Sequence, residues 1–202
     1  MAGGELWIHS LATAVAARLI AESTALVNVE SAYIGGLLHD VGRAAMARDL
    51  RRAAAEEIAD ITRSGEVSFH QAERRVLGFT HADVGSILLD EWGVGDELVA
   101  AVGAHHDGVV TADPLAWVIH VGDVLAITAV PPSSPTGWIW TVDPAVVKGL
   151  GLEQWLDGEP AAGLDDLLLV CQTVDDHLGI HRAVRLDDGV QGVGHLLGGD
   201  SA

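Results

Sequence analysis

From end to end, apolar residues in this chain recur at steps of three and four, and no clear run of β-branched residues alternates with polar ones. A helix buries a stripe with a period near 3.6, whereas a half-buried strand needs a period of two, so the pattern predicts an all-α fold. The first helix is expected over residues 5–23, with Ile8, Leu11, Ala12, Val15 and Leu19 on one stripe. A second runs from near Glu30 through Leu38 into His39-Asp40-Val41-Gly42-Arg43, where Gly42 suggests tight packing or a bend. The Ala-rich stretch 51–63 reads as a surface helix ending at Gly65. Ser68 with Gln71, and Thr80 with Asp83, have the spacing of capping boxes, which satisfy the free amides of a helix start. Asp96 is a candidate cap for the helix carrying Leu98, Val102, His105 and His106. Asp113-Pro114 supplies a cap and a first-turn proline for the helix that carries His120 and Asp123.

Residues 131–140 turn to Pro, Ser and Gly, which places a joint between a main body (1–130) and a C-terminal helical extension (131–186). The extension's strongest helix is expected over 164–184, and 187–202 reads as a Gly-rich flexible tail. With 202 residues, 49% of them hydrophobic, the chain can bury a sizeable core. Lys and Arg number 11 against 29 Asp and Glu, a formal charge of −18, which tells against a surface that tracks a nucleic-acid polymer. Any anionic ligand must be held locally. The single cysteine, Cys171, can form no internal disulfide. The most apolar stretches are interrupted by His120 and Asp123, so no membrane span is expected, and a cytoplasmic location is the default reading.

Ten histidines is a high count, and their placement carries the chemistry. In order stand His9, the pair His39-Asp40, His81, the pair His105-His106, and Asp123, spread over five predicted helices. Neutral imidazole and carboxylate suit Fe, Mn, Zn, Ni or Co, and helices of a bundle can project such side chains into a shared core. Adjacent helical residues point about 100° apart, so each pair can serve two ions or two sides of one.

These strings resemble the HD superfamily of metal-dependent phosphohydrolases, and in wording most closely its HDOD and HD-GYP signalling branches. Leu6-Trp7-Ile8-His9-Ser10 is similar to the opening HDOD helix, and Gly36-Leu37-Leu38-His39-Asp40-Val41-Gly42 to the defining HD motif. Glu73 through Gly85 is similar to the segment that delivers a ligand histidine, and His105-His106-Asp107 to the paired-histidine motif of the HD-GYP branch. The family's final aspartate falls on Asp123, and the resemblance covers roughly residues 5 to 130.

The resemblance implies an HD-type helical bundle holding two divalent ions on His9, His39, Asp40, His81, His105, His106 and Asp123, with Glu5 completing a third position in some relatives. It implies that Asp40 and Arg43 carry the chemistry, Arg43 standing where the family has Lys and clamping a phosphate, while Asp107 orients a neighbouring histidine. Paired ions would activate water for attack on phosphorus. The Gly-Tyr-Pro that follows the paired histidines in cyclic-di-GMP phosphodiesterases is absent, since Gly108-Val109-Val110-Thr111 follows Asp107.

Three readings remain open. The first is a phosphohydrolase or phosphodiesterase acting on a nucleotide or small phosphorylated molecule. The second is a catalytically silent HDOD-type signalling domain with a structural or sensory metal, acting through a protein partner or a homodimer. The third is a di-iron oxygenase. Of the other histidines, His120 is expected to pack, His70 to face solvent, and His177 and His181 to lie on the surface near a helix end. Trp92, Trp117, Trp138, Trp140 and Trp155 are expected as core or interface anchors.

Overall fold

The computed structural model describes residues 3–63, 65, 67–107, 112–129, 142 and 144–152. These form α1 (Gly3–Thr24), α2 (Val29–Leu38), α3 (Val41–Asp49), α4 (Arg52–Arg63), α5 (Phe69–Leu77), α6 (His81–Glu91), α7 (Asp96–Ala104), α8 (Pro114–Ala129) and α9 (Pro144–Gly149), with no strand among the described residues. The all-α expectation holds.

The helix starts follow the local chemistry. Both capping boxes are formed, Ser68 with Gln71 on α5 and Thr80 with Asp83 on α6. Asp113 accepts from the Leu115 and Ala116 amides ahead of α8, with Pro114 in the first turn. The expected cap at Asp96 is displaced by one residue: Gly95 is the N-cap, and Asp96 sits in the first turn, where its charge faces the positive end of the helix. Gly78 closes α5 in the left-handed region at φ 84°, allowing the reversal into α6.

The core sits around α1, which packs mainly against α8 on one side and α2 on another. Being covered on two sides changes which residues it buries. Ile8, Ala12, Ala14, Ala16, Ala17, Ile20 and Ala21 are buried, while Leu11, Val15 and Leu19 of the expected stripe are only half-buried. The alanines decide this, because they let flanking helices come close. Ile20 of α1 and Ile119 of α8 are fully buried in the same cluster, each worth about 1.5–3 kcal/mol relative to exposure. Val146 and Val147 of α9, with Val142, Leu150 and Leu152, join that cluster too.

Backbone contacts fix the spacing of these helices. A Cβ on Gly36 of α2 would lie 2.8 Å from Ala14 Cα and 2.9 Å from Thr13 O, and one on Gly122 of α8 would lie 3.0 Å from Ala17 N and 3.1 Å from Thr13 O. Both helices therefore pinch α1 at Thr13, one turn beyond His9, through glycines that lie close in sequence to His39 and next to Asp123. A third contact is tighter: a Cβ on Gly42 of α3 would lie 2.0 Å from His81 O and 2.7 Å from Gly85 N. Gly42 is thus what allows α3 to lie on the first turn of α6.

Helices α4 and α5 pack chiefly on each other around a separate cluster of Ile58, Val67 and Ala72, and α5 meets the main body through α6. The outer side of α4 is exposed, as expected for a surface helix. Trp117 packs against the main core, but Trp92 is 58% exposed and is not a core anchor. Trp138, Trp140, Trp155, Cys171, His177, His181, the expected helix 164–184 and the tail 187–202 lie outside the described residues. Among the described residues no helix is long and apolar enough to cross a membrane.

Gly42→Ala should lose about 3 kcal/mol or more, since neither backbone neighbour can retreat cheaply. Gly4→Ala, with nothing within 4 Å of the added carbon, should be neutral or gain up to about 1 kcal/mol of helix propensity. Urea denaturation of the two variants checks this, and equal midpoints would refute the contact argument.

Candidate metal centre

The pinch at Thr13 brings His9 of α1, His39 at the end of α2 and Asp123 of α8 to one point. His9 Nε2 lies 3.2 Å from His39 Nε2 and 3.0 Å from Asp123 Oδ1. The Gly42 contact brings a second group to the same place, from the start of α6 and the end of α7. His81 Nε2 lies 2.9 Å from His106 Nε2, and the rings of His105 and His106 are 3.9 Å apart.

Asp40 joins the two groups. Its Oδ2 lies 3.7 Å from His9 Nε2 and 3.5 Å from His39 Nε2, while its Oδ1 lies 3.2 Å from His81 Nε2 and 3.0 Å from Arg43 Nε. Three sets of donor atoms converge closely enough to hold a cation: His9 with His39 and Asp40, His39 with His105 and Asp123, and His81 with His105 and His106. The first two describe one subsite and the third another, with His105 reaching both.

The ring orientations are fixed from behind. His39 Nδ1 donates to Gly36 O at 2.8 Å, His105 Nδ1 to Val102 O at 2.6 Å, and His81 Nδ1 to the buried Glu73 carboxylate at 2.5 Å. Those oxygens can only accept, so the proton sits on Nδ1 and each Nε2 presents a lone pair to the centre. His105 Nε2, both Asp40 oxygens and Asp123 Oδ1 are buried without an aligned hydrogen-bond donor among the described residues. Buried polar atoms of a native fold are ordinarily satisfied, and inward lone pairs beside two carboxylates are what a divalent cation satisfies. The residues fit a bound divalent metal.

The electrostatics agree. Burial pushes His39, His105 and His106 below the usual imidazole range, and the neighbouring imidazoles push His105 and His106 further. Burial alone would raise Asp40, but Arg43 and then His39, His81 and His9 hold it below the carboxylate range. Burial opposes ionisation of Asp123 too, and the nearby His9 and His39 keep it at about 2. The centre therefore meets neutral pH with His39, His105 and His106 bare and with Asp40 and Asp123 charged.

All seven expected ligands meet here, though several details differ. His39-Asp40 and His105-His106 lie at the turns that follow α2 and α7 rather than within helices, so the divergence of each pair comes from the break in the chain. Glu5 stands one turn before His9, half-buried, and belongs to none of the three donor sets. Asp107 is exposed; the backbone oxygen of Val102, not Asp107, turns His105. His70 is not solvent-facing: it is half-buried and stacks on His106 with ring centroids 4.3 Å apart and planes 11° apart. Burial, and then His81, bring its pKa down to about 4. His120 is half-buried, with Nδ1 shielded from solvent.

Sequence reasoning missed Glu73 and His70 as supporting residues. Glu73, only 2% exposed, accepts from both the His81 amide and its Nδ1. A glutamate two turns ahead of a capping box, facing the ligand that begins the next helix, was the available signal.

A match to the HDOD domain family spans residues 2–108, more than half of the chain. The chain belongs to the HDOD family. The matched segment of this HDOD protein contains every candidate ligand except Asp123. Among curated proteins it is 30% identical to Ribonuclease Y of Fervidobacterium nodosum over 124 residues, 61% of this chain but 18% of that protein. Its fold is shared with a suggested phosphohydrolase from Shewanella amazonensis (17% identity, TM-score 0.58, 95% of this chain and 63% of that one). It is shared also with an HDOD domain protein of unknown function from Geobacter sulfurreducens (23%, 0.55, 95% and 62%) and with the MmoQ response regulator of Methylococcus capsulatus (24%, 0.54, 83% and 61%). The chain spans less than two thirds of the length of each.

Without metal, the HDOD protein should lose stability as pH falls. His39, His105, His106 and His70 stay neutral when folded but take up protons near pH 6.5 when unfolded, so acid draws the equilibrium toward the unfolded chain. Asp40 and Asp123, lowered from 3.8, contribute stability that is present above that value and lost only below it. The urea midpoint of chelator-treated protein should be flat from pH 8 to 7 and fall steadily between about 6.5 and 4. A midpoint unchanged at pH 5 would contradict the neutral-imidazole assignment.

Proposed function

We propose that this HDOD protein is a metal-dependent phosphohydrolase or phosphodiesterase acting on a nucleotide or other small phosphorylated molecule. The observation that carries the proposal is the position of Asp40, whose two carboxylate oxygens face different imidazole groups, an arrangement suited to bridging two cations. The first subsite would use His9, His39, Asp40 and Asp123, and the second His81, His105, His106 and Asp40. A bound pair of divalent ions (Fe, Mn, Ni, Co or Zn) supplies Lewis acidity, acidifying water and drawing charge from a phosphoryl group.

The chain's own part is to aim and insulate. Gly36 O, Val102 O and Glu73 lock three rings, burial keeps His39 and His105 unprotonated, and Asp40 and Asp123 stay ionised. Arg43 lies beside the second subsite and is the group placed to offset phosphate charge. A net charge of −18 favours a small ligand over a polymer, which sets this reading apart from the relative named as a ribonuclease.

A second reading is supported by the depth of the centre. His39, His81 and His105 are fully inaccessible and Asp40 is 1% exposed, as a structural or sensory metal in a silent HDOD signalling domain would be. That reading passes information to a protein partner or a second copy, in keeping with the likeness to a response regulator.

Protein loaded with Mn, Fe or Ni should hydrolyse a generic phosphodiester or phosphomonoester reporter. His39→Ala and Asp40→Ala, with helicity retained, should lose about 100-fold or more, since even residues behind metal ligands commonly cost 10–100-fold. No turnover with any metal across a broad phosphate panel would favour the signalling reading, and oxygen consumption by the iron form would point to an oxygenase.

A further inference from the structure

The two halves of the centre are supported by different parts of the fold. The first subsite hangs on α1, α2 and α8, which share the main core and meet at backbone distance. The second is flanked by α5, a helix of the small α4–α5 unit that has its own apolar cluster and joins the body through α6.

Helix α5 offers no atom to the three donor sets, yet three residues within its first five each hold one side chain of that half. Glu73 accepts from the His81 amide at 3.0 Å and from Nδ1 at 2.5 Å. His70 lies flat on the His106 ring and shares a hydrogen bond with the Ser68 hydroxyl at 3.1 Å, so the capping box that starts α5 also steadies the stack. Phe69 lies under the Arg43 guanidinium, 4.7 Å from carbon to ring centre, and its ring is 6.3 Å from that of His81.

We infer that α5 is the positioning element of the second metal subsite, with Glu73 fixing the proton and direction of His81, His70 fixing the plane of His106, and Phe69 holding Arg43 beside Asp40. None of the three is a ligand. His9, His39 and Asp123 of the first subsite have no contact of this kind with α5 among those described, and Asp40 meets it only through Arg43, so the Glu73 and His70 contacts bear on the second subsite alone. This rests on the two-metal reading above and refines it: loss of the Glu73 and His70 contacts would weaken one ion and spare the other.

The test is calorimetric titration of the full chain with Co²⁺, alongside its visible absorption, for wild type, Glu73→Gln, His70→Ala and His70→Phe. Wild type should bind two ions. Glu73→Gln and His70→Ala should weaken one binding event by about 10–100-fold and leave the other in place. His70→Phe, which restores a flat ring without a nitrogen, should recover most of the loss; a residue acting only through general stability would not show this split. His70 is half-exposed, so its variants keep the inference testable should Glu73→Gln fail to fold, which circular dichroism would reveal. If both events weaken together, if neither moves, or if His70→Phe is no better than His70→Ala, the inference fails while the two-metal reading stands. If wild type takes up fewer than two ions, that reading fails and this inference with it.

Discussion

A carboxylate lodged among imidazoles and out of contact with water is the constraint around which this fold is arranged. Transferring an ionised group such as Asp40 into a low-dielectric interior costs several kcal/mol unless counter-charge is supplied. Arg43 supplies one positive charge on the Oδ1 side. On the Oδ2 side stand the nitrogens of His9 and His39, and His39 is kept from protonating by its own burial. A proton on His39 is thus disfavoured where positive charge is most wanted. With Nδ1 of three rings committed to Gly36 O, Val102 O and Glu73, the lone pairs on Nε2 cannot be turned away, and a cation with room for several ligands is the species that resolves both problems.

Bringing these groups together requires helices to approach more closely than ordinary side chains permit. Gly36 and Gly122 meet α1 at the same carbonyl, Thr13 O, which sets His39 and Asp123 at the level of His9. Gly42 does the same between α3 and α6, and so carries Asp40 to His81. The glycine two residues after the His39-Asp40 pair is therefore a geometric requirement of the centre: the carboxylate reaches the second imidazole group only because the backbone beside it lies against the helix start that His81 occupies.

The convergence of the candidate ligands was legible in the sequence because such chemistry is restricted to a few residue types and their order along the chain matches a known pattern; His9, His39, Asp40, His81, His105, His106 and Asp123 all meet in one place. Local signals were legible too, as at the Ser68 and Thr80 capping boxes, where the partner is three residues away. What stayed hidden depends on packing between distant segments. Leu11 and Val15 look better suited to a core stripe than Ala14 and Ala17, and only the presence of helices on two sides of α1 reverses that order. Asp107 adjoins the histidines in sequence, yet Val102 O is nearer in space to the ring that needs orienting, because a histidine just past a helix end folds back on the carbonyl three residues earlier. His70 reads as solvent-facing until His106, far along the chain, is placed over its ring.

Arginine at position 43, where the resemblance would place a lysine, suits the same packing. An ammonium is a compact, strongly hydrated charge that could pair with Asp40 but would gain less from an aromatic face. A guanidinium can do both at once, and Arg43 does: Nε stands 3.0 Å from Asp40 Oδ1 while the planar head lies over Phe69. With its side chain only 11% exposed, the cation is largely dry, which favours the weakly hydrated group of the two. Arginine here is thus matched to a phenylalanine at the start of α5. The positive charge beside the centre owes its place to the α4–α5 unit as much as to the helix that carries it.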